Sequence, residues 1–107
     1  MPDAATTAGM NAPPAGLAPP EELSAAVVLY STWWCPWCRL AKRLLGKRGI
    51  EFVELDVDTP AARRWLAQRT GHQTVPQIFV RGESIGGYDE LAAMDASGAL
   101  ARALAPL

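Results

Sequence analysis

Ala26-Val27-Val28-Leu29-Tyr30-Ser31-Thr32-Trp33-Trp34-Cys35-Pro36-Trp37-Cys38 is the stretch on which the fold turns. Its first five residues form a short apolar run with β-branched and aromatic members, the pattern of a strand buried on both faces. From Pro36 to about Gly49, Trp37, Leu40, Ala41, Leu44 and Leu45 recur at the i, i+3, i+4, i+7 and i+8 positions of an amphipathic helix. Pro36 suits the first turn of that helix and Gly49 its end. Arg39, Lys42, Arg43, Lys47 and Arg48 fill its other positions and read as a solvated face, with most of them near the carboxyl end, where they complement the dipole. A strand that turns directly into a helix, with two cysteines at the turn, is the motif from which the rest is read.

Outward from it, Glu51-Phe52-Val53-Glu54-Leu55-Asp56-Val57 is a second strand, and the intervening helix makes the two strands parallel. Thr59 and Pro60 open another helix as cap and first residue, with Trp65 and Leu66 facing the core and Gly71 as the stop. Gln77 to Arg81 and Ser84 to Gly86 read as a hairpin turning at Gly82-Glu83. A last helix spans about Asp89 to Ser97, ends at Gly98, and is followed by a further helical turn over Ala99 to Leu104. The order βαβ, α, ββ, α predicts an α/β fold with a four-stranded mixed sheet flanked by helices.

Residues 1–24 are a Pro/Ala-rich leader expected to be disordered, with Pro2, Pro13, Pro14, Pro19 and Pro20 and no apolar periodicity, and residues 25–107 are expected to be the folded domain. Met10 is an alternative start. The leader has no basic start followed by an apolar run, and no segment reaches membrane-spanning length, so the expected location is the cytoplasm. Beyond the leader the chain carries 10 basic and 8 acidic residues, too small a bias to point to nucleic acid. The expected partners therefore exclude nucleic acid and membrane, and the chain is expected to act as a monomer.

The two cysteines are too close in sequence for a disulfide between them to restrict the unfolded chain much, so a structural staple is a poor explanation. Their place at the start of a helix is a better one. Free N–H groups and the positive end of the dipole stabilise an anion there, which favours Cys35 as a thiolate. Cys38, inside the first turn beside Ala41 and Leu45, is expected to be the more buried sulfur and Cys35 the exposed one. Cys35 then attacks a disulfide and Cys38 resolves the mixed disulfide that forms. Zinc held by Cys35, Cys38 and the single imidazole, His72, would lack a fourth ligand, so no metal is expected.

Over Val27 to about Leu104 the sequence resembles the glutaredoxins, through three motifs in order. Cys35-Pro36-Trp37-Cys38 looks like the family's Cys-Pro-Tyr-Cys, Thr74-Val75-Pro76 like its Thr-Val-Pro loop, and Gly86-Gly87-Tyr88-Asp89-Glu90-Leu91 like its Gly-Gly segment before the last helix. The resemblance implies a thioredoxin fold and a disulfide reductase acting on protein disulfides and on mixed disulfides with a low-molecular-weight thiol. It implies no bound cofactor, with glutathione or another small thiol as electron donor and disulfide-containing proteins as partners.

By the same resemblance Pro76 follows a cis peptide bond opposite the cysteines, and Val75 pairs through its backbone with the cysteine part of the thiol. Thr74 belongs to that loop and Trp37 flanks the sulfurs. Gly87, Tyr88 and Asp89 meet a γ-glutamyl group, and Arg63, with Arg64 close by, meets a glycyl carboxylate. Thr32 stands where many glutaredoxins have lysine. Trp34 before the cysteine is similar to thioredoxins, and Ser31-Thr32-Trp33-Trp34-Cys35 is similar to mycoredoxins, which use mycothiol. Two alternatives follow from relatives: a redoxin reduced directly by thioredoxin reductase, and an iron-sulfur cluster carrier, against which Pro36 argues. At least one of Trp33 and Trp34 is expected to be exposed, since adjacent side chains cannot easily both point inward.

Overall fold

The computed structural model describes residues 13–14, 16–72 and 74–106. Strand β1 (Val27–Ser31) is buried along its whole length, as its unbroken apolar run requires. Helix α1 (Pro36–Lys47) carries the chain to β2 (Val53–Asp56), which lies parallel to β1 with Val28 opposite Val53 and Tyr30 opposite Leu55. After helix α2 (Pro60–Thr70), β3 (Gln77–Val80) pairs antiparallel on the other side of β1, with Leu29 opposite Ile78. Strand β4 (Glu83–Gly86) completes a sheet ordered β2-β1-β3-β4, and helices α3 (Tyr88–Ser97) and α4 (Ala99–Leu104) close the chain.

Alternation along β1 builds two cores. Val27 and Leu29 face Ala41, Leu45, Leu91 and Leu100, so α1, α3 and α4 cover one side of the sheet. Val28 and Tyr30 face Ala62, Trp65 and Leu66 of α2. On that second side the Tyr30 ring meets Trp65 and Phe79 edge-on, with centroids 5.9 and 5.6 Å away, the arrangement aromatic quadrupoles prefer.

Both caps anticipated for α2 are present. Thr59 Oγ1 accepts the Ala62 N–H at 3.1 Å, and Gly71 stops the helix in the left-handed conformation. The β3–β4 turn, however, falls one residue earlier than expected, on Arg81 and Gly82, both with positive φ. Two such residues give a type I′ turn, whose twist matches the strands. The Arg81 Nε–H donates to the Ala103 carbonyl at 3.0 Å.

The leader departs further from expectation. Residues 1–12 lie outside the described residues, but Leu17 and Leu23 pack against the Tyr30 cluster and Pro19 and Pro20 are buried. A 3-10 turn spans Pro20–Glu22. The Tyr30 hydroxyl donates to the Ala18 carbonyl at 2.6 Å, and Arg69 Nη2 lies 2.8 Å from Glu21 Oε2. A buried phenol needs an acceptor, and this segment supplies it across twelve residues of sequence. Order comes from tertiary contacts that composition does not reveal.

Candidate functional site

Cys35 is the N-cap of α1, in extended backbone, and its sulfur accepts the Cys38 N–H at 3.2 Å. The Cys35 thiol also lies 3.6 Å from the Val75 carbonyl, to which it donates. These two contacts correct the expected exposure: Cys35 is 2% exposed and Cys38 1%. A capping side chain folds back over the first turn to reach its N–H groups, and that posture carries the Cys35 sulfur inward. Both cysteines are free thiols.

Burial pushes the Cys38 thiol from 9.0 up to about 12, helped by its hydrogen bond with Cys35 and by the Cys35 and Glu54 charges, and opposed by the Thr32 main chain. Glu54 itself is held by Ser31 Oγ at 2.6 Å and by Lys42 Nζ at 3.0 Å. Burial likewise raises the Tyr30 hydroxyl from 10.0 to about 12.

Raised values mean that the folded protein keeps these protons longer than the unfolded chain does. Their contribution to stability is complete below about pH 9 and is lost as pH rises through 9 to 12 for Cys38, and through 10 to 12 for Tyr30. Denaturant unfolding followed from neutral pH to about pH 12 should show wild-type stability falling. Cys38→Ala and Tyr30→Phe should each flatten that fall.

The Val75–Pro76 peptide is cis, as the resemblance implied. A groove of about 190 Å³ runs beside it, lined by Trp37, Thr74, Val75, Pro76, Gly87, Tyr88, Asp89 and Glu90. It thus brings together every thiol-binding residue expected from sequence except Arg63. Trp37 stacks on Tyr88, with centroids 6.3 Å apart and planes 24° from parallel, and joins the ends of α1 and α3.

Arg63 sits elsewhere. Its guanidinium lies 5.3 Å from the centre of the Trp34 ring, and its Nε–H donates to the Val57 carbonyl at 3.3 Å. With Arg64, Ala67 and Gln68 it lines a separate hollow. Trp33, Trp34 and Trp37 are 75%, 50% and 56% exposed, so both tryptophans before Cys35 face outward.

The far wall of the groove depends on two glycines. Gly87 caps α3 and its N–H donates to Glu90 Oε1 at 2.7 Å. Gly86 has φ +104, and a methyl group there would fall 2.6 Å from Glu90 Oε1 and 2.9 Å from Glu90 Cγ. Gly86→Ala should therefore cost roughly 1–3 kcal/mol, read as a lower midpoint in thermal unfolding. Glu90 must then move away from the Gly87 amide.

Comparison with known proteins agrees with this geometry. The family model described as Glutaredoxin matches residues 27–85. Glutaredoxin 3 of Escherichia coli K12 is 47% identical over 77 residues, 71% of this chain and 93% of the relative. The glutaredoxin of Pseudomonas aeruginosa is 44% identical over 75 residues, 69% of this chain and 89% of its own. Among solved structures, the buckwheat glutaredoxin-glutathione complex aligns with a TM-score of 0.70 and 30% identity, covering 76% of this chain and 77% of that one. The glutaredoxin of Brucella melitensis aligns at 0.66 with 40% identity, covering 75% and 88%.

A mixed four-stranded sheet with a Cys-x-x-Cys pair at the β1–α1 turn, matched by these neighbours, defines a thioredoxin fold and the class of thiol-disulfide oxidoreductases. Within that class, the chain belongs to the glutaredoxin family. Among the described residues no helix is long and apolar enough to cross a membrane.

Proposed function

We propose that this protein reduces protein disulfides and mixed disulfides with a low-molecular-weight thiol, with glutathione or another small thiol as the electron donor. The observation that carries this reading is the continuity of the Cys35 sulfur with the Val75 carbonyl, 3.6 Å away, and through Val75 with the groove that ends at Asp89. The Cys35 thiolate attacks a substrate sulfur, forming a mixed disulfide and releasing the other sulfur as a thiolate. The Cys38 sulfur then attacks Cys35, the mixed disulfide breaks, and the released thiolate takes up a proton. The oxidised Cys35-Cys38 pair is returned to dithiol by two equivalents of the small thiol.

In this reading the small thiol lies along the groove. Its cysteine part pairs with the Val75 main chain, and Thr74 and Pro76 fix the loop. Its γ-glutamyl carboxylate meets the amides of Tyr88 and Asp89 at the start of α3, a natural carboxylate position, with the Asp89 side chain toward its amine. The Trp37-Tyr88 stack forms one wall. Arg63, beside Trp34 and outside the groove, is offered to the glycyl carboxylate. The buckwheat relative was solved as a complex with glutathione, which supports the choice of thiol.

The experiment is reduction of the oxidised protein by glutathione, mycothiol, bacillithiol and thioredoxin reductase with NADPH in parallel. Rapid reduction by glutathione is the expected result. Reduction by thioredoxin reductase with no response to any small thiol would overturn it.

A further inference from the structure

We propose that a hollow adjoining the groove at Pro76 is a subsite for a basic side chain, arginine above all, carried next to the reactive cysteine of a protein substrate. The inference rests on the reading of Cys35 as the attacking sulfur and of Val75 as the main-chain partner of the substrate.

The hollow has a volume of about 420 Å³, more than twice that of the groove, and its walls include His72, Thr74, Pro76, Gln77, Ser84 and Glu90. That volume is within the range of ligand sites, roughly 300–1,000 Å³. Thr74, Pro76, Gly87 and Glu90 line both spaces. Gly87 has no side chain to cover this boundary: a β-carbon there would lie 3.4 Å from the Pro76 carbonyl oxygen and 3.6 Å from Glu90 Oε1. A substrate chain paired with Val75 and running on along the loop therefore passes the mouth of the hollow.

Gln77 opens β3, and strand alternation puts its side chain on the face of the sheet shared by Phe79. The residue is 4% exposed. Its Nε2–H donates to the His72 carbonyl at 2.7 Å, which fixes the amide, while Oε1 is buried with no hydrogen-bond partner among the described residues. Holding the His72 carbonyl requires a donor alone. The unpaired oxygen opposes folding, and it belongs to a side chain that forms part of the wall of the hollow.

The other polar groups there select the sign of the occupant. No lysine or arginine lines the hollow. Glu90 accepts the Gly87 N–H through Oε1, and its carboxylate is in no ion pair among the described residues. An anion would meet that carboxylate with no cation to offset it. An apolar group would strip water from the amide oxygen, the carboxylate and the Thr74 and Ser84 hydroxyls and return no hydrogen bond. A guanidinium brings five N–H donors in a planar fork and no acceptor, and its apolar stem can lie along Pro76 and Ile85, which also line the space.

Cysteine peptides blocked with thionitrobenzoate test the subsite. The Cys35 thiolate forms a bond to the peptide sulfur, the bond from that sulfur to thionitrobenzoate breaks, and its electron pair leaves on the coloured thiolate. The peptides differ only in carrying arginine or citrulline, its uncharged isostere, one or two residues before or after the cysteine. Each rate is divided by that of the same peptide with free dithiothreitol, which removes the effect of the charge on the disulfide itself. With the reduced wild-type protein the arginine peptide should react about tenfold faster than the citrulline peptide, the effect of one charge-assisted hydrogen bond. Gln77→Leu should bring that ratio toward one, and Gln77→Glu, which adds a carboxylate to the hollow, should raise it. Thionitrobenzoate-blocked cysteine, which has no neighbouring side chain, should react at the same rate with all three proteins.

Equal rates for arginine and citrulline at every position in the wild type would overturn the proposal, as would an unchanged ratio in Gln77→Leu. If Gln77→Leu melts below wild type, Gln77→Glu decides, and a ratio no higher than that of the wild type rejects the subsite. Failure of every blocked thiol to release thionitrobenzoate would reject the assignment of Cys35 and the subsite with it, whereas release without discrimination rejects the subsite alone.

Discussion

Replacing Cys35 by serine should abolish turnover of a small mixed-disulfide substrate, while replacing Cys38 by serine should leave part of it. The asymmetry follows from position. Cys35 sits at the helix cap, where its sulfur accepts an N–H and faces the Val75 carbonyl beside the groove. A serine hydroxyl there keeps the cap and loses the nucleophile. Cys38, with its thiol pushed up to about 12, is a poor attacker of external disulfides and acts only on a bond already formed one turn away. Loss of Cys38 therefore blocks intramolecular resolution but leaves release by a second small thiol. Measured with a glutathionylated small molecule and with a protein disulfide in parallel, Cys38→Ser should retain more of the first activity than of the second. Full activity in Cys35→Ser would sink the assignment.

Leu29→Ala should produce a large loss of stability. Leu29 is fully buried in the central strand, opposite Ile78 of β3, and packs with Ala41, Leu45 and Leu91. Truncating a leucine in such surroundings costs about 2–5 kcal/mol, a large share of the roughly 5–15 kcal/mol that holds a domain of this size together. The melting midpoint should drop by about 10 °C or more. The same residue seats α1 on the sheet, so the cap geometry at Cys35 depends on it. A shift of only a degree or two would show that the cavity collapses and α1 settles onto β1.

Much of this architecture was written in short-range pattern. The β-branched run at Val27-Val28, the apolar stripe through Leu40, Ala41, Leu44 and Leu45, and the stops at Gly71 and Gly98 each have a local physical cause, and the elements appear within a residue or two of their expected limits. The groove residues were legible through motif resemblance, because Thr74-Val75-Pro76 and Gly86-Gly87-Tyr88-Asp89 are separated in sequence and only a shared fold explains their company.

What escaped the sequence depends on contacts across long loops. Nothing in Pro19-Pro20 announces that Tyr30 will draw Ala18 to itself, nor does Arg63 announce its place on Trp34. The burial of Cys35 escaped for a related reason. Helix position gives no sign of the inward fold of the side chain that accepts the Cys38 amide.

The distribution of tryptophan has an optical consequence. Trp33, Trp34 and Trp37 stand in water around the reactive sulfur, whereas Trp65 is buried at the opposite core beside Tyr30. Intrinsic emission from this protein is therefore two signals in one spectrum. A dissolved quencher such as iodide reaches the first group and misses Trp65, so the quenchable fraction reports events at the cysteines while the protected fraction reports whether the α2 side of the sheet is still folded. A ligand entering the groove and a chain coming apart can then be told apart in a single cuvette, without any label.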